Sequence, residues 1–388
     1  MFYKTIKKSS ECGARVGEIQ TDHGVINTPI FMPVGTQASI KSLDSEDIKN
    51  TGAEIILANT YHLHLRPGED LIDTVGGLHK FMGWDGPILT DSGGFQVLSL
   101  GAQKTRTKGG EALSKIDDEG VTFKSHIDGS THRFTPEIAM DIQHKLGADI
   151  IMAFDEATPD DADIQYAKSA LERTHRWATQ SLDAHKKETH RHGYQQFLFG
   201  IIQGGVHKDL RIESAKAICA MDFDGIAIGG ESVGYNMPIT KEILQWVAPY
   251  LPEEKPHYTM GVGYSPLDLF DVVEHGIDMF DCVAPTRIAR NGTLFDRSAK
   301  DSNFRISITN AKYRNDFSLI DPTNTLPPHL NVSRAYLHHL FKAEELAAYR
   351  IATMHNLTFL LKLMKEMRTA ISEDRFFEFK QNWISGKS

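Results

Sequence analysis

Short apolar runs alternate along this chain with stretches of helical character. Each run is rich in β-branched or aromatic residues and ends abruptly in polar or glycine residues. Continuous apolar strands that alternate with helices are typical of a parallel sheet covered on both faces. Seven runs show the pattern, at residues 54–58, 87–89, 149–154, 197–202, 225–228, 258–260 and 279–280.

This alternation predicts an α/β fold, a (β/α)₈ TIM barrel over residues 1–300. Such a barrel needs roughly 250 residues and carries its active site at the carboxyl ends of its strands. A doubly wound open sheet is the competing fold. It ranks lower because polar or glycine residues follow every predicted strand, whereas an open sheet collects them at one switch point.

Two regions depart from the alternation. Residues 100–133 contain turn signals and a short alternating stretch at residues 120–127, which predicts a hairpin insertion in the barrel. After residue 300 the chain becomes rich in turns and then helical. We therefore predict a small C-terminal helical subdomain over residues 301–388.

Composition narrows the class of protein. The chain is 40% hydrophobic and 24% charged, as expected of a globular protein with a sizeable core. It has no apolar run of the roughly 18 residues that a membrane span needs, and residues 1–8 lack the apolar stretch of a secretory signal. Its cysteines, Cys12, Cys219 and Cys282, are far apart in sequence, which argues against disulfides and favours the cytoplasm.

The net charge of −9 weakens the expectation of a nucleic-acid partner, because phosphate binding usually shows as a basic surplus. It leaves room for a local basic patch. Candidate members of such a patch are Arg287, Arg290, Arg305, Lys312 and Arg314.

Acidic side chains follow several predicted strands. Asp91, Asp155, Glu156 and Asp281 stand at strand ends, and Gln203 ends another strand. A carboxylate there is costly unless it is used or paired. A single acid after a strand is often a helix N-cap, but four acids together favour a polar pocket. Nearby glycine pairs, such as residues 93–94 and 229–230, allow the backbone to approach a flat heterocycle.

Asp281 stands a few residues before Arg287 and Arg290. The arrangement fits a carboxylate nucleophile beside a phosphate clamp, with the arginines keeping the carboxylate ionised. A structural ion pair is the alternative, and the residues alone leave both interpretations open.

Six runs resemble the bacterial tRNA-guanine transglycosylases (queuine tRNA-ribosyltransferases), in the same order and over nearly the whole chain. They read TDSGGFQ at residues 90–96, MAFDE at 152–156, GIIQG at 200–204, GIDMFDCVAPTR at 276–287, SRAYLHHL at 333–340 and HNL at 355–357.

The resemblance implies an exchange of the wobble guanine in a GUN-anticodon tRNA for a free 7-deazaguanine, either 7-aminomethyl-7-deazaguanine or queuine, in queuosine biosynthesis. It implies that Asp281 is a covalent nucleophile and that Asp91 moves the proton of the leaving and entering bases. Implied base contacts are Asp91, Ser92, Gly93, Gly94, Phe95, Asp155, Gln203, Gly230 and Met260. Implied tRNA contacts are Gly261, Val262, Gly263, Thr286, Arg287 and Arg290.

The chain departs from the family pattern at its metal site. Relatives carry three cysteines and a histidine that bind a structural zinc, whereas the cysteine positions here hold Asn324, Leu326 and His329, and only His355 keeps its ligand type. Two histidines do not make a tetrahedral zinc site. We therefore predict no cofactor and no zinc, with stiffening of the loop by residues 327–328 as a hypothesis.

The base pocket departs as well. Relatives usually place a glutamate for the aminomethyl group where this chain has Tyr235, and a carboxylate appears four residues early at Glu231. The choice of incoming base is therefore open. The alternatives to the exchange enzyme are a non-catalytic tRNA-binding partner subunit, the same chemistry on another polynucleotide, and a glycosidase that only hydrolyses. Relatives are commonly homodimers, which makes a homodimer the expectation, although the region involved is altered here.

Overall fold

Eight parallel strands form a closed barrel in the computed structural model, which describes residues 1–97, 114–323 and 325–385. The ring closes between the first two strands, where Val34 bridges Leu57. The (β/α)₈ prediction is thus confirmed. The strands are β4 (Ile30–Met32), β5 (Ile56–Ala58), β6 (Ile88–Thr90), β10 (Ile150–Met152), β11 (Phe197–Ile202), β12 (Gly225–Ile228), β13 (His257–Thr259) and β14 (Met279–Asp281).

The seven predicted strands are all present, with ends displaced by up to two residues. The eighth strand, β4, was not predicted. It follows three antiparallel strands with no helix between, so the alternation of strand and helix does not mark it; these are β1 (Tyr3–Lys8), β2 (Arg15–Thr21) and β3 (Gly24–Thr28).

Helices follow most barrel strands, and local sequence signals begin many of them. Asn59, for example, accepts a hydrogen bond from His62 N, and Ser265 forms a capping box with Asp268. The helices before residue 300 that lie wholly within the described residues are α1 (Ser45–Asn50), α2 (Thr60–Leu65), α3 (Glu69–Thr74), α4 (Leu78–Met82), α5 (Pro136–Leu146), α6 (Ile164–His185), α7 (Lys208–Cys219), α8 (Met237–Val247), α9 (Pro266–Glu274) and α10 (Ala284–Arg290).

The N-terminal sheet β1–β3 packs against the amino ends of the barrel strands. Arg15 forms a buried ion pair with Asp278, which precedes β14, with Nη2 2.6 Å from Oδ2. Phe2 stacks on Phe197 at the start of β11, with ring centroids 3.9 Å apart. This end of the barrel is therefore closed by protein, and the carboxyl ends of the strands are left for the site.

The predicted insertion is an antiparallel sheet of three strands in its described part. These are β7 (Ser114–Ile116), β8 (Val121–Lys124) and β9 (Thr131–Phe134). Residues 98–113, which include the first part of the predicted insertion, lie outside the described residues.

The C-terminal region packs on the barrel through a long buried helix. After β15 (Thr293–Phe295) and β16 (Arg305–Ser307), which pair with each other, come α11 (Arg334–Lys342), α12 (Leu346–Ser372) and α13 (Phe376–Ser385). Short 3₁₀ turns lie at Lys300–Ser302 and Ala311–Asn315, and another lies in the barrel at Ala248–Tyr250. Asn356 of α12 accepts from Phe295 N at 2.9 Å and donates to Pro285 O at 3.0 Å. The domain boundary at residue 300 stays a prediction. No helix in the described ranges is long and apolar enough to cross a membrane.

Candidate active site

Three aspartates lie at the carboxyl ends of barrel strands. Asp91 follows β6, Asp155 follows β10 by three residues, and Asp281 is the last residue of β14. Strand ends of a parallel barrel meet at one mouth. The three carboxyl groups interact there, because the negative charges of Asp281 and Asp155 help raise the pKa of Asp91.

Asp281 is held by only one of its carboxylate oxygens. Tyr258 donates its hydroxyl hydrogen to Oδ1 at 2.6 Å, and Gly261 N donates to the same oxygen at 3.2 Å. Burial raises the pKa of Asp281, and these two donors oppose that rise. No hydrogen bond from another described residue reaches Oδ2, so this oxygen is available for reaction.

The sequence suggested that Arg287 and Arg290 keep the Asp281 carboxylate ionised, but they do not. Arg287 instead donates from Nη2 to the Tyr264 hydroxyl at 2.9 Å, and the groups that lower the pKa of Asp281 are the Tyr258 hydroxyl and the main-chain amides of Gly261 and of Asp281 itself. The proposed arginine–aspartate ion pair is therefore wrong. A hydroxyl and main-chain amides serve this role because they lie within hydrogen-bond distance of the carboxylate.

Asp91 is positioned by the start of α2 and by its own loop. Thr60 N donates to Oδ1 at 2.9 Å and Gly93 N donates to the same atom at 3.2 Å, while the Asn59 side chain donates to Oδ2. Burial is the largest cause that raises the pKa of Asp91 to about 7. At neutral pH this carboxyl group can therefore give or take a proton, as general acid–base chemistry requires.

A buried polar group lies beside these two acids. Ser92 donates from Oγ to Asp155 Oδ1 at 2.8 Å, and Gln203 donates from Nε2 to Asp155 Oδ2 at 2.7 Å. Burial raises the pKa of Asp155, against the effect of both donors. The Gln203 Oε1 atom is buried without a hydrogen-bond partner in the described part of the chain. An orphaned buried acceptor of this kind suits an N–H donor of a ligand.

Glycines are required beside these polar groups. A Cβ atom at Gly94 would lie 2.6 Å from the Asp155 carbonyl oxygen, closer than packed atoms approach. Gly230 has a φ of +141°, and a Cβ there would lie 2.5 Å from Arg211 Nη2. Both positions therefore bring backbone close to the polar groups at the mouth.

Arg211 was missed in the sequence, where it reads as an ordinary helical cation. Its buried guanidinium donates to Gly205 O at 2.7 Å, Gly229 O at 2.7 Å and Ile202 O at 3.1 Å. Burial lowers its pKa to about 10. It thereby fixes the two glycine loops that follow β11 and β12. Only the tertiary structure reveals this, because its partners are main-chain carbonyls.

Glu156, the fourth strand-end acid, is not part of the group. Its carboxylate accepts from Arg173 Nε at 2.8 Å and from the Tyr166 hydroxyl at 2.7 Å, and it is 1% exposed. Successive side chains of an extended segment point to opposite sides, which turns Glu156 away from Asp155. The prediction that it belongs to the pocket is wrong, because it forms a structural ion pair.

The remaining predicted contacts differ in accessibility. Phe95 is 44% exposed, Arg287 is exposed, and Met260, Gly261 and Arg290 are partly buried. Val262, Gly263 and Thr286 are buried, and the Thr286 hydroxyl donates to Val283 O at 3.2 Å. Their contacts with tRNA stay predictions. Because these residues are buried, such contacts need main-chain groups or a rearrangement of the residues.

The residues at the family's zinc positions do not fit that metal. Leu326 is buried and apolar, His329 is exposed, and His355 uses Nε2 to donate to Phe295 O at 2.8 Å. Asn324 lies outside the described residues. A tetrahedral site needs four nitrogen, sulfur or oxygen donors, so this set offers too few. The prediction of no zinc remains untested.

The loop at these positions is organised by Asp321. Its carboxylate accepts from Thr323 N at 2.9 Å, Thr325 N at 2.6 Å and Leu326 N at 2.9 Å. Asn331 closes the loop, since its side chain donates to Asp321 O at 2.9 Å. Stiffening by residues 327–328 stays a hypothesis beside this observed network.

One group of side chains in the described ranges has the spacing of metal ligands, namely His23, His79 and Asp149. Asp149 Oδ1 lies 2.7 Å from His23 Nδ1, and Oδ2 accepts from Ile88 N at 2.8 Å. Asp149 precedes β10, so the cluster lies at the amino ends of the strands, opposite the acids. We assign it no part in the chemistry at the mouth.

Over nearly its whole length the chain is similar to proteins of one family. The family model described as queuine tRNA-ribosyltransferase matches residues 10–388. The chain is 52% identical over 383 residues to the queuine tRNA-ribosyltransferase of Acetivibrio thermocellus, covering 99% of this chain and 97% of the relative. It is 51% identical over 382 residues to that of Thermoanaerobacter sp. strain X514, covering 98% and 96%. The protein of the same name from Caldanaerobacter subterraneus is 52% identical, with the same coverage.

Proposed function

The chain belongs to the queuine tRNA-ribosyltransferase family and is a tRNA-guanine transglycosylase, a pentosyltransferase of queuosine biosynthesis; from this premise we propose how its own residues exchange the base. The substrate is a tRNA with guanine at the wobble position of a GUN anticodon, and the second substrate is a free 7-deazaguanine. The mechanism rests on the Asp281 carboxylate, whose Oδ1 accepts two hydrogen bonds while Oδ2 accepts none from another described residue. The Asp91 carboxyl group lies beside it.

The first step is attack by Asp281 Oδ2 on the anomeric carbon of the ribose. Tyr258 and Gly261 hold Oδ1, so the carboxylate is oriented while its other oxygen stays nucleophilic. A carbon–oxygen bond forms and the bond from the ribose to guanine breaks, with its electron pair leaving on the base. Asp91 supplies a proton to the departing guanine, for which a pKa of about 7 is well matched.

The second step reverses the first with a different base. Asp91, now ionised, takes the proton from the nitrogen of the incoming 7-deazaguanine as that nitrogen attacks the anomeric carbon. Asp281 leaves as a carboxylate. Two displacements at one carbon give retention of configuration, as in retaining glycosidases, whose transition state has oxocarbenium character.

Base recognition rests on Asp155, Gln203 and the surrounding backbone. The Asp155 carboxylate and the orphaned Gln203 Oε1 are acceptors for the N–H groups of a guanine-like edge. Ser92 fixes the Asp155 rotamer. Gly93, Gly94 and Gly230 leave room for a planar ring, and we expect Phe95 and Met260 to stack on it.

The incoming base is either 7-aminomethyl-7-deazaguanine or queuine. The Glu231 carboxylate accepts from Asp160 N at 3.0 Å, so it is engaged by the loop after β10. Competition between labelled guanine and each of the two bases ranks them.

A homodimer is a separate expectation, which sedimentation analysis tests.

The test is incorporation of radiolabelled guanine into an unmodified tRNA with guanine at the wobble position. Asp281→Asn should abolish incorporation and the covalent RNA adduct on a denaturing gel. Glu156→Gln is the matched control, since it changes another strand-end acid that is outside the group; its folding is checked by thermal melting. Incorporation that survives Asp281→Asn would refute the mechanism. Tight tRNA binding without incorporation by the unchanged protein would favour the tRNA-binding subunit, and incorporation into DNA would favour another polynucleotide.

A further inference from the structure

A pair of tyrosines, Tyr235 exposed and Tyr264 partly buried, lies near the nucleophile and has no part in the mechanism above. Tyr235 is 64% exposed, although large aromatic side chains are usually covered. Its ring contacts that of Tyr264, with centroids 4.9 Å apart and planes inclined by 49°. The Arg287 guanidinium lies over the Tyr264 ring, 5.8 Å from its centroid. We call Tyr235, Tyr264 and Arg287 the aromatic platform.

The platform is held in place by defined contacts. Tyr235 N donates to Ser232 O at 3.1 Å, and the next residue, Asn236, caps α8 by accepting from Ile239 N. Gly234 has a φ of +81°, and a Cβ there would lie 2.4 Å from the Gly261 carbonyl oxygen. The loop that carries Tyr235 therefore packs directly on the turn at Gly261.

That same turn holds the nucleophile. Gly261 N donates to Asp281 Oδ1, and Tyr264 lies three residues further along the turn. A polynucleotide whose ribose is at Asp281 must therefore pass close to the platform with the nucleotides on either side of the reacting one.

The charge around the platform favours an anionic chain. Arg287 and Arg290 carry no ion pair with a described residue, and burial together with the positive charge of Arg287 lowers the pKa of Arg290. Arg305 donates from Nη2 to the Tyr264 carbonyl oxygen, which brings a further cation to this turn. Aromatic rings interleaved with arginines are the usual surface for unpaired nucleotides, since every base has a face that stacks.

We propose that the aromatic platform stacks on the base of a nucleotide adjacent to the exchanged guanosine. This inference rests on the proposed function for the identity of the polynucleotide. Stacking on Tyr235 keeps the flanking base from stacking on the other bases of the anticodon loop. Arg287 binds the neighbouring phosphate. The platform thereby positions the substrate and takes no part in bond breaking.

The experiment measures equilibrium binding of anticodon hairpin RNAs to the full chain in an Asp281→Asn background, where no adduct forms. Three hairpins are compared: the intact one, and two with an abasic nucleotide immediately before or after the reactive guanosine. Tyr235→Ala should weaken binding of the intact hairpin by about 5- to 150-fold, the range for loss of one stacked base. Tyr235→Phe keeps the ring and should bind within about 3-fold of the parent.

The abasic hairpins separate stacking from general damage. On the hairpin that lacks the stacked base, Tyr235→Ala should cost less than about 2-fold, while on the other abasic hairpin the full loss should remain. The slope of log Kd against log salt should stay unchanged in Tyr235→Ala and fall in Arg287→Gln, because only the arginine contacts a phosphate. Tyr336→Ala, at a tyrosine that is 50% exposed on α11, is the matched control.

Three results would overturn the proposal. These are normal binding by Tyr235→Ala, an equal loss on all three hairpins, or a loss in Tyr235→Phe as large as in Tyr235→Ala. Absence of hairpin binding by the parent would refute the platform and the proposed function together. Hairpin binding with the expected Tyr235 dependence, but no base exchange when Asp281 is intact, would refute the proposed function alone.

Discussion

Removal of the Tyr258 hydroxyl tests how the nucleophile is kept reactive. In Tyr258→Phe, Asp281 loses the 2.6 Å hydrogen bond to Oδ1 and keeps only the one from Gly261. Burial and the negative charge of Asp281 hold the pKa of Tyr258 well above 10, so the hydroxyl is a donor over the whole working range. The substitution therefore removes a donor and no charge.

The size of the effect follows from that hydrogen bond. A hydrogen bond to a charged group contributes about 1.5–3 kcal/mol, and one pKa unit corresponds to about 1.4 kcal/mol. Because the donor stabilises the ionised form, its loss raises the pKa of Asp281 by about one to two units. The protonated acid is not a nucleophile, so the variant should lose activity at a higher pH than the parent when the solution is acidified.

The assay is kcat/KM for guanine exchange as a function of pH, from about pH 5 to 9. The fall in kcat/KM at acidic pH that we assign to Asp281 should shift to higher pH. The transition near pH 7 that we assign to Asp91 should keep its pH, because no hydrogen bond joins Tyr258 to Asp91 among the described contacts. Tyr194→Phe removes a hydroxyl that donates to Gly147 O at 2.7 Å, away from the mouth, and is the matched control. An acidic limb that stays in place or moves to lower pH would refute the reasoning.

Three further predictions concern stability. Arg15→Leu should lower the free energy of unfolding in urea by about 3–5 kcal/mol, because it leaves Asp278 buried without its cation. Burial lowers the pKa of His144 and His185 to about 4, so the unfolded chain binds more protons than the folded one below about pH 6.5. Their contribution to stability is complete above that pH and is lost as the pH falls towards 4, and His144→Gln with His185→Gln should flatten this part of the urea-midpoint profile. Asp321→Ala should cost about 3 kcal/mol and expose the loop after it to limited proteolysis, with the cleavage site located by mass spectrometry.

Each stability prediction has a matched control. Arg314→Leu removes an exposed cation and should stay within about 0.5 kcal/mol of the parent. His339→Gln changes an exposed histidine and should leave the pH profile as it is. Asp316→Ala removes another loop carboxylate, whose bond from Ser318 N lies at the surface, and should not open the Asp321 loop. Equal effects in a variant and its control would contradict the corresponding prediction.

Much of the barrel could be predicted from local patterns. Apolar runs such as residues 197–202 and 225–228 are continuous and end abruptly. Both features reflect a strand that is buried on both faces, and they can be read from the segment itself. Asp91 and Asp281 were found for the same reason, since a carboxylate directly after such a run is costly unless it is used. The strand Ile30–Met32 was missed because it follows the antiparallel strand Gly24–Thr28 almost directly, with no helical stretch between them to mark a new unit.

The roles of the acids were decided by partners that are distant in sequence. Asp155 and Glu156 are neighbours with the same local signal, yet the first meets Ser92 and Gln203, and the second meets Arg173. Which side each faces depends on how the strand end enters the barrel, and the residue types do not encode that separately.

The sequence by itself determined the alternation of strands and helices and the presence of acids at strand ends, because both depend on residues within one segment. Only the tertiary structure decided that Tyr258 and Gly261 restrain Asp281, and that Arg287 faces Tyr264. These contacts depend on the order and stagger of neighbouring strands and on the loops that leave them. A hydrogen bond acts over about 3 Å, so its identity is set where the closed barrel brings separate loops together.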